Sequence, residues 1–338
     1  MAGTLKKKRK GRPNEDELIA RYFKPIANHP GALGLRDDAA ALSPPSGHDL
    51  VVTADAIVGG VHFFPEDPAG TIARKALRVN LSDLAAKGAR PVGFVLALAL
   101  PKNVGEPWLK AFSRALGADA KYFGCALLGG DTVSTPGPLM VSITAFGAVP
   151  TGTMVRRDRA QVGDHVMVSG TIGDAALGLQ LRRDGNLARQ WKLSSQDRAH
   201  LARRYLVPEP RNALALAVRK NATGAMDVSD GLAGDLAKLC RASGVAAVID
   251  VARVPLSAAA GKAALIDRKW LTTALSGGDD YEILCTVRPG RVGAFQSAAR
   301  ALGVPVTDIG RIVRGSGASF VMPNGKAMTF ANASFSHF

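Results

Sequence analysis

The alternation of hydrophobic and polar positions along the chain predicts a mixture of helices and strands. Apolar side chains recur at helical spacing in several stretches, and short apolar runs bounded by glycine or polar residues are typical of buried strands. Asn14 fits a cap before the first helix, and Gly88 fits the end of the second. The predicted helices are residues 15–27, 71–87, 106–123, 174–181, 194–217 (broken near Pro208 and Pro210) and 231–243. The predicted strands are residues 50–54, 92–100, 126–128, 140–149, 165–169, 225–228 and 283–287.

The order of these elements predicts the fold class. It lacks the regular strand–helix–strand rhythm of a doubly wound sheet, so an α+β fold is expected. A length of 338 residues suggests two domains, and the turn-rich, basic segment at 150–164 is the predicted boundary. We therefore expect a basic tail at residues 1–13, an N-terminal α+β domain at 14–150 and a C-terminal domain at 151–338.

The charge of the chain bears on its partners. The formal net charge is +15, and residues 1–13 supply six of these charges without a single acid. Such a tail either binds an anionic partner such as nucleic acid or is a solvated, disordered segment, and we favour the second interpretation. Aromatic residues make up only 6% of the chain, and no RNA-binding aromatic motif occurs, which argues against a nucleic-acid-binding protein.

Cysteine usage and hydropathy predict a cytoplasmic protein. Cys125, Cys240 and Cys285 are well separated and form no CxxC pair, which is typical of reduced, buried thiols and gives no support to a zinc site. The longest apolar run, residues 92–100, is too short to span a bilayer. The residues after the tail are too polar for a signal peptide, so no membrane partner is expected.

The most informative polar feature is the placement of the aspartates. The chain has only 28 acids against 43 bases, yet its aspartates recur beside glycines or at the ends of apolar runs. Carboxylates gathered on short loops repel one another unless a cation lies between them, and hard oxygen ligands select Mg²⁺ or Ca²⁺. Because Mg²⁺ usually arrives with a phosphate, the pattern predicts a Mg²⁺–nucleotide enzyme. The candidates are Asp37, Asp38, Asp55, Asp83, Asp131, Asp227, Asp230, Asp279 and Asp280.

Each aspartate alone also has an ordinary structural explanation. The pair Asp37 and Asp38 fits a turn, and Asp230 fits a cap for the helix at 231–243. Asp83 could accept a hydrogen bond from a backbone amide or a lysine. The hypothesis of a shared site rests on the recurrence of six such groups in one acid-poor chain.

No known nucleotide loop accounts for phosphate binding, since the chain has neither a GxxxxGK[ST] loop nor a protein-kinase glycine loop with its HRD motif. Phosphate contacts must then come from metal, arginine and backbone amides.

Three weaker signals have two interpretations each. The two-glycine turn at 170–174 is an anion site or an ordinary connection; the arginines at 156–159 bind phosphate or face solvent; His62 is a ligand contact or a structural histidine.

The motifs, taken together and in order, resemble one enzyme family. They are Asp-Asp-Ala-Ala, Thr-x-Asp followed by Gly-Val-His-Phe, Asn-x-Ser-Asp-Leu-Ala-Ala-x-Gly-Ala, Gly-Gly-Asp-Thr, Val-Ser-Gly-Thr-Ile-Gly-Asp, Met-Asp-Val-Ser-Asp-Gly-Leu, Gly-Gly-Asp-Asp-Tyr-Glu and a terminal His-Phe. This ordered set closely resembles the thiamine-monophosphate kinase family of the aminoimidazole-ribonucleotide synthetase-like superfamily. Only the basic tail falls outside the resemblance.

The resemblance implies a fold and a reaction. It implies an N-terminal α+β domain whose sheet pairs with that of a second copy in a homodimer, and a C-terminal α/β domain that closes the cleft. It implies that ATP phosphorylates thiamine monophosphate to thiamine diphosphate by in-line transfer. Because the acceptor phosphate is mostly ionised near neutral pH, no general base is required, and several Mg²⁺ ions would relieve the repulsion between the phosphates.

The resemblance also implies roles for individual residues. Metal binding is implied for Asp38, Thr53, Asp55, Asp83, Asp131, Asp227 and Asp230. ATP binding is implied for Gly129, Gly130, Arg157 and Ser229, and substrate binding for His62, Asp279 and Phe335. Catalysis is implied for Asp131, Asp83 and Arg157.

Three positions depart from the family pattern. Arg36 stands where the family often has glycine, Asp279 replaces the usual glutamate, and Phe335 replaces the usual tryptophan or tyrosine. These changes bear on substrate affinity more than on the type of reaction.

The main alternative is another ATP-dependent enzyme of the superfamily, such as a selenophosphate synthetase or the ring-closing purine enzyme. The first cysteine is Cys125, whereas selenophosphate synthetases usually carry a reactive Cys or selenocysteine near their start. The ending Ser336-His337-Phe338 favours the thiamine enzyme. A nucleic-acid-binding protein that uses the basic tail is the less favoured alternative.

Overall fold

The computed structural model describes residues 14–332 and 334, so the predicted tail at 1–13 and Phe335 lie outside the described residues. Within residues 14–332, no helix combines the length and the apolar character needed to cross a membrane. The strands are β1 (His48–Val58), β2 (Arg90–Pro101), β3 (Ala126–Thr135), β4 (Met140–Pro150), β5 (His165–Ser169), β6 (Ala222–Asp227), β7 (Ala246–Asp250), β8 (Ile283–Val287), β9 (Val306–Val313), β10 (Gly317–Val321) and β11 (Ala327–Met328). The helices are α1 (Glu15–Leu18), α2 (Ala69–Ala86), α3 (Glu106–Phe123), α4 (Asp174–Arg183), α5 (Leu187–Gln190), α6 (Ser195–Leu206), α7 (Ala215–Asn221), α8 (Leu232–Ser243), α9 (Ala258–Ile266), α10 (Arg268–Ser276) and α11 (Val292–Ala301).

The first half of the chain forms a four-stranded sheet in the order β1-β4-β2-β3. β4 runs antiparallel to both of its neighbours, and β2 runs parallel to β3. The helices α2 and α3 contribute to the core beneath the sheet through fully buried residues such as Leu77 and Phe112, which meet Phe94 of β2. Each such side chain contributes roughly 1.5–3 kcal/mol of stability. The apolar stripes recognised in the sequence therefore bind these helices to the sheet.

The second half forms a seven-stranded sheet in the order β11-β10-β7-β9-β5-β8-β6. Only β7 and β10 pair in parallel, and the other pairs are antiparallel. Helices and strands mix without a doubly wound pattern, so the α+β prediction is confirmed. The chain has two sheets, each with its own core, as in a two-domain synthetase-like architecture.

Two strands are longer than predicted, which moves two predicted site positions away from strand ends. β1 pairs with β4 over its whole length, from His48 to Val58, so Asp55 lies inside a strand. β3 continues through Gly130 and Asp131, because Gly130 pairs with Leu96 of β2. Asp131 is exposed, whereas Asp55 shares its strand face with the buried residues Val51 and Ile57 and is only partly exposed. Gly130 itself has a φ of +154°, and a Cβ on it would lie 1.9 Å from the Leu96 carbonyl oxygen.

Helix α2 contacts both halves of the chain. Its last turn, at Ala85 and Ala86, packs in the same cluster as Met167 of the second sheet. Lys87, directly after the helix, donates to the Ala225 carbonyl oxygen at 2.8 Å, and Asn212 donates to the Leu81 carbonyl oxygen at 3.0 Å. α2 therefore fixes the second sheet against the first, and the bounds 14–150 and 151–338 stay a prediction.

Candidate functional site

A cavity of about 340 Å³ lies between the two halves of the chain. Its walls come from β1 and α2 on one side and from the loops that follow β6 and α10 on the other. The cavity brings together seven of the predicted site residues, although they are spread over more than 200 positions of the sequence. These residues are Asp55, His62, Asp83, Asp227, Ser229, Asp230 and Asp279.

The carboxylates in this cavity perturb one another. Burial, and then the charges of Asp83 and Asp230, raise the pKa of Asp55 from 3.8 to about 6. Burial, and then the charge of Asp83, raise the pKa of Asp227 well above its usual range. A cation bound among these carboxylates would favour their charged forms and lower these pKa values.

Thr53 and Asp83 form a direct link between β1 and α2. The Thr53 hydroxyl donates to Asp83 Oδ2 at 2.5 Å. This bond orients the Asp83 carboxylate and leaves its second oxygen, together with the lone pairs of the hydroxyl, able to accept other ligands.

The donor set fits a hard divalent cation in its chemistry. All the candidate ligands are carboxylate or hydroxyl oxygens, which Mg²⁺ prefers. Across residues 14–332, however, no three acidic, histidine or cysteine side chains come close enough together to hold one metal ion. An ion held here would take one or two protein oxygens and complete its shell with water or phosphate, as Mg²⁺ commonly does.

The turn between β6 and α8 differs from the prediction that Asp230 caps the helix. α8 begins at Leu232, and its N-cap residue, Gly231, forms no side-chain cap. Instead, Asp235 accepts hydrogen bonds from the amides of Ser229 and Asp230 at 3.0 and 2.9 Å. The prediction was wrong because a buried carboxylate one turn into the helix satisfies these amides, which leaves the Asp230 side chain to pair with Lys238.

The two-glycine turn at 170–174 is an anion site that the chain fills itself. The Gly173 amide donates to both carboxylate oxygens of Asp280, at 2.9 and 2.8 Å. Asp280 is fully buried, and this burial raises its pKa. The turn is therefore an internal anchor for the loop that carries Asp279.

Lys75 connects the two predicted substrate residues in the cavity, His62 and Asp279. The Val58 amide donates to His62 Nδ1 at 3.0 Å, so this nitrogen is an acceptor and a neutral ring carries its proton on Nε2. Lys75 Nζ donates to the His62 carbonyl oxygen at 2.9 Å and to Asp279 Oδ2 at 2.8 Å. The Tyr281 hydroxyl donates to Asp279 Oδ1 at 3.3 Å.

Four further predicted site residues line a second cavity of about 290 Å³. It lies between the 3₁₀ turns near the N-terminus and strands β2 and β3, and its walls are partly apolar. The predicted residues that line it are Asp38, Gly129, Gly130 and Asp131.

The two cavities are separated within one chain. Asp55, Ile143, Leu96 and Gly130 form one row across the four strands. Asp55 and Gly130 therefore lie three strand spacings apart, about 14 Å. The described part of the chain thus divides the predicted metal ligands into two groups.

Arg157 lies on the surface beside the first cavity. Its side chain is exposed, and its carbonyl oxygen accepts a hydrogen bond from Ser243. Its charge lowers the pKa of Lys87, although burial is the larger cause, while Asp227 and Asp83 raise that pKa. Arg157 and these two carboxylates therefore all act on Lys87. Asp158, which lies among the arginines at 156–159 in the sequence, pairs with Arg156 at 2.5 Å.

Sequence reasoning missed the lysines around the carboxylates. Lys75 is only 2% exposed and contacts Asp279, and Lys238 bridges Asp230 and Asp235. The available signal for Lys75 was a lysine within the apolar stripe of a predicted helix. No local signal marks Lys238, because its position is ordinary for an exposed helical residue.

Comparisons with known proteins agree with this architecture. The family described as AIR synthase related protein, N-terminal domain, matches residues 36–149, and the corresponding C-terminal domain matches residues 161–322. A thiamine-monophosphate kinase from Caulobacter vibrioides is 46% identical over 313 residues, which cover 91% of this chain and 86% of the relative.

Solved structures give the same result. The crystal structure of thiamine-monophosphate kinase from Stenotrophomonas maltophilia has a TM-score of 0.80 and 43% identity, and the match covers 93% of this chain and 96% of that one. A structure described as AaThiL complexed with AMPPCP and TMP has a TM-score of 0.74 and 29% identity, with 89% and 91% covered. The chain therefore belongs to the thiamine-monophosphate kinase family of the AIR synthase related proteins.

Proposed function

We propose that this chain transfers the γ-phosphoryl group of ATP to thiamine monophosphate, giving ADP and thiamine diphosphate. The observation that carries the proposal is the cavity between the two halves, where four carboxylates meet the two predicted substrate residues. The relatives named as thiamine-monophosphate kinases and the neighbour solved with AMPPCP and TMP support ATP and thiamine monophosphate as the substrates.

Mg²⁺ is the proposed cofactor. Several ions are proposed, each bound through one or two protein oxygens. Thr53, Asp55, Asp83, Asp227 and Asp230 would supply these oxygens in the first cavity, and Asp38 and Asp131 in the second. When bound, Mg²⁺ neutralises charge on the phosphates that approach one another. Burial first and neighbouring carboxylates second raise the pKa of Asp55 and of Asp227, and this supports the assignment, because a bound cation would favour the charged forms.

The residues of the chain would bind and orient the two substrates. Gly129, Gly130, Arg157 and Ser229 are the proposed ATP contacts. His62 would not act as a general base through Nδ1, since that atom accepts the Val58 amide hydrogen. The acceptor phosphate needs no such base, because it is ionised near neutral pH. Asp83, Asp131 and Arg157 are the proposed catalytic residues.

The proposed thiamine monophosphate site is formed by His62 and Asp279, with Phe335 as a further contact outside the described residues. Asp279 is an acceptor-only group whose two oxygens already receive bonds from Lys75 and Tyr281. The remaining lone pairs would accept an N–H of the substrate ring system.

A homodimer in the cytoplasm is the proposed state of the enzyme. The outer face of the first sheet leaves apolar residues accessible, among them Val52 at 55% and Val133 at 48% exposure. Apolar strands of this kind are covered in many assemblies by a second copy. Three buried, free cysteines suit a reducing compartment.

The first experiment measures ADP release from ATP and Mg²⁺ with and without thiamine monophosphate, and identifies thiamine diphosphate as the product. Strong stimulation with one product molecule for each ADP supports the kinase. If ATP binds but thiamine monophosphate gives no stimulation, the substrate assignment is wrong, and the substrates of other enzymes of the superfamily come next.

A mixing experiment tests whether the two cavities act together across a dimer. Asp83→Asn and Asp131→Asn should each nearly abolish turnover while keeping the fold. If a dimer joins the first cavity of one copy to the second cavity of its partner, mixed heterodimers have one intact site. An equal mixture after subunit exchange then regains about one quarter of the wild-type turnover. No recovery despite confirmed exchange refutes joining across the dimer.

A further inference from the structure

Lys75 is an unusual residue for its position in the fold. It lies on the buried face of α2, and its side chain is only 2% exposed. Lysine is almost never fully buried unless it is paired, because its ammonium group loses hydration. Its neighbours on the same face, Ile72 and Val79, are buried apolar residues.

The Lys75 ammonium group makes three contacts with three separate segments. It donates to the His62 carbonyl oxygen at 2.9 Å and to Asp279 Oδ2 at 2.8 Å. It also lies 4.4 Å from the centre of the Tyr205 ring, in cation–π geometry. One buried charge thus joins the loop after β1, the loop after α10 and helix α6.

The backbone around Asp279 makes this pairing specific. Asp279 and Tyr281 have φ angles of +63° and +51°, a region that residues with side chains rarely adopt. The Asp279 amide donates to the Ser229 carbonyl oxygen at 2.7 Å, and the Tyr281 amide donates to the Val228 carbonyl oxygen at 2.8 Å. The loop is therefore held against the turn that carries Asp227 and Asp230, and Lys75 fixes the direction of the Asp279 side chain.

We propose that Lys75 is the positioning residue of the acceptor-substrate site, which holds the His62 segment and the Asp279 carboxylate at a fixed separation across the two halves of the chain. This inference rests on the proposed function, because it deepens the assignment of His62 and Asp279 to thiamine monophosphate. Lys75 acts through these two residues and does not touch the reacting phosphates.

A purely stabilising role explains the arrangement less well. Buried ion pairs cost desolvation, and replacing them with apolar side chains is often neutral or stabilising. The place of Lys75 within an apolar stripe would suit a methionine or leucine in energetic terms. An apolar residue, however, could not bind the His62 carbonyl oxygen and the Asp279 carboxylate at the same time, as the Lys75 ammonium group does.

The test compares KM values for the two substrates in five variants of the full chain, one of which is the double variant with Lys75→Met and Asp279→Asn. Lys75→Met removes the charge at similar length, Lys75→Arg keeps the charge, and Asp279→Asn removes the partner. Lys262→Met is the matched control, because Lys262 pairs with Asp197 at 2.6 Å on the surface and lies outside the cavity. Thermal unfolding confirms that each variant is folded.

The expected result is selective. Lys75→Met raises KM for thiamine monophosphate at least about tenfold, and KM for ATP stays within about twofold. Lys75→Arg recovers part of the loss. In the double variant with Asp279→Asn the two effects are not additive, because Lys75 acts through Asp279. Lys262→Met behaves like the wild type.

Three results overturn the inference: an unchanged KM for thiamine monophosphate, an equal rise in both KM values, or additive effects in the double variant. If Lys75→Met does not fold, Lys75→Arg is used for the test instead. A planar guanidinium cannot place its charge where the ammonium group of Lys75 lies, so Lys75→Arg must still raise KM for thiamine monophosphate and not KM for ATP. A wild-type enzyme that does not phosphorylate thiamine monophosphate refutes the proposed function instead.

Discussion

Replacing Asp55 with asparagine should stabilise the metal-free protein at neutral and alkaline pH. Asp55 lies inside β1, with its carboxylate in the cavity beside Asp83 and Asp230. Burial and these two charges raise its pKa. Asn has nearly the same shape and hydrogen-bonding reach, so Asp55→Asn removes the charge and leaves the packing in place.

The magnitude follows from the pKa. In the folded protein the pKa of Asp55 is about 6, against 3.8 in the unfolded chain. Between these values the folded state holds a proton that the unfolded state has lost, so stability falls as the pH rises. Above pH 6 the loss in the free energy of unfolding is complete, and it amounts to at most about 3 kcal/mol. Asp55→Asn avoids this cost, so its advantage is absent near pH 4 and complete near pH 8.

The assay is thermal unfolding at pH 4 and pH 8 in EDTA, with wild type, Asp55→Asn and a control. For a chain of 338 residues, about 3 kcal/mol corresponds to a rise of roughly 4 °C in the unfolding temperature at pH 8. Asp49→Asn is the control, because Asp49 is an exposed carboxylate on the same strand. Added Mg²⁺ should stabilise the wild type more than Asp55→Asn.

The reasoning is refuted if Asp55→Asn destabilises the protein equally at both pH values, since the carboxylate would then make a favourable native contact. It is also refuted if Asp49→Asn gives the same gain at pH 8. In that case the effect would come from the net charge of the chain and not from the cavity.

Three more predictions concern stability and the tail. Glu282→Gln should destabilise the protein by about 3–5 kcal/mol in urea unfolding, because the buried Arg204 and the partly buried Arg211 lose their carboxylate partner; a loss under 1 kcal/mol would contradict this. Gly130→Ala should lower the unfolding temperature sharply, since a Cβ there meets backbone, while Gly129→Ala has open space and should keep it; equal effects would contradict the clash. A chain that begins at residue 14 should keep its turnover and lose any salt-sensitive DNA binding, and tight binding by the shortened chain would restore the nucleic-acid hypothesis.

Elements with strong local signals were predictable from the sequence to the residue. The helix at 106–123 and the strands at 165–169 and 283–287 have the predicted bounds. The helix ends where Gly124 adopts a left-handed conformation, which is a local signal. The first helix begins at its predicted cap, Asn14, but continues beyond Leu18 as a π-helical and then a 3₁₀ turn.

Strand ends that depend on a distant partner were not predictable in this way. β1 and β3 continue past their predicted ends because their backbones pair with those of β4 and β2. No residue in either strand signals that pairing. The sequence singled out the aspartates in these strands as unusual, and their role as metal ligands stays a prediction. Their division between two cavities depends on sheet order, which the spacing of motifs does not contain.

The contacts of the site residues were the least predictable part. Lys75 and Asp279 are 204 positions apart, and Asp280 fills a turn that lies 107 positions earlier in the chain. The interpretation of Asp230 as a cap failed for a similar reason, since Asp235, inside the following helix, binds the amides of the preceding turn and the helix has no side-chain cap. The sequence around each site residue was enough to single that residue out, whereas its contact partners depend on the folded structure.

The distribution of cations around the first cavity indicates where a metal ion would be most needed. Asp279 and Asp230 pair with Lys75 and Lys238, so their charges are balanced within the chain. Asp55 has no lysine or arginine ion pair within the described residues, and its neighbour Asp83 receives only a hydroxyl bond from Thr53. The uncompensated negative charge is therefore concentrated between β1 and α2. Lys87 is near enough for Asp227 and Asp83 to raise its pKa, although burial lowers that pKa more. Within the described residues, however, no lysine or arginine forms an ion pair with Asp55 or Asp83, which suits an external cation that binds together with the phosphates.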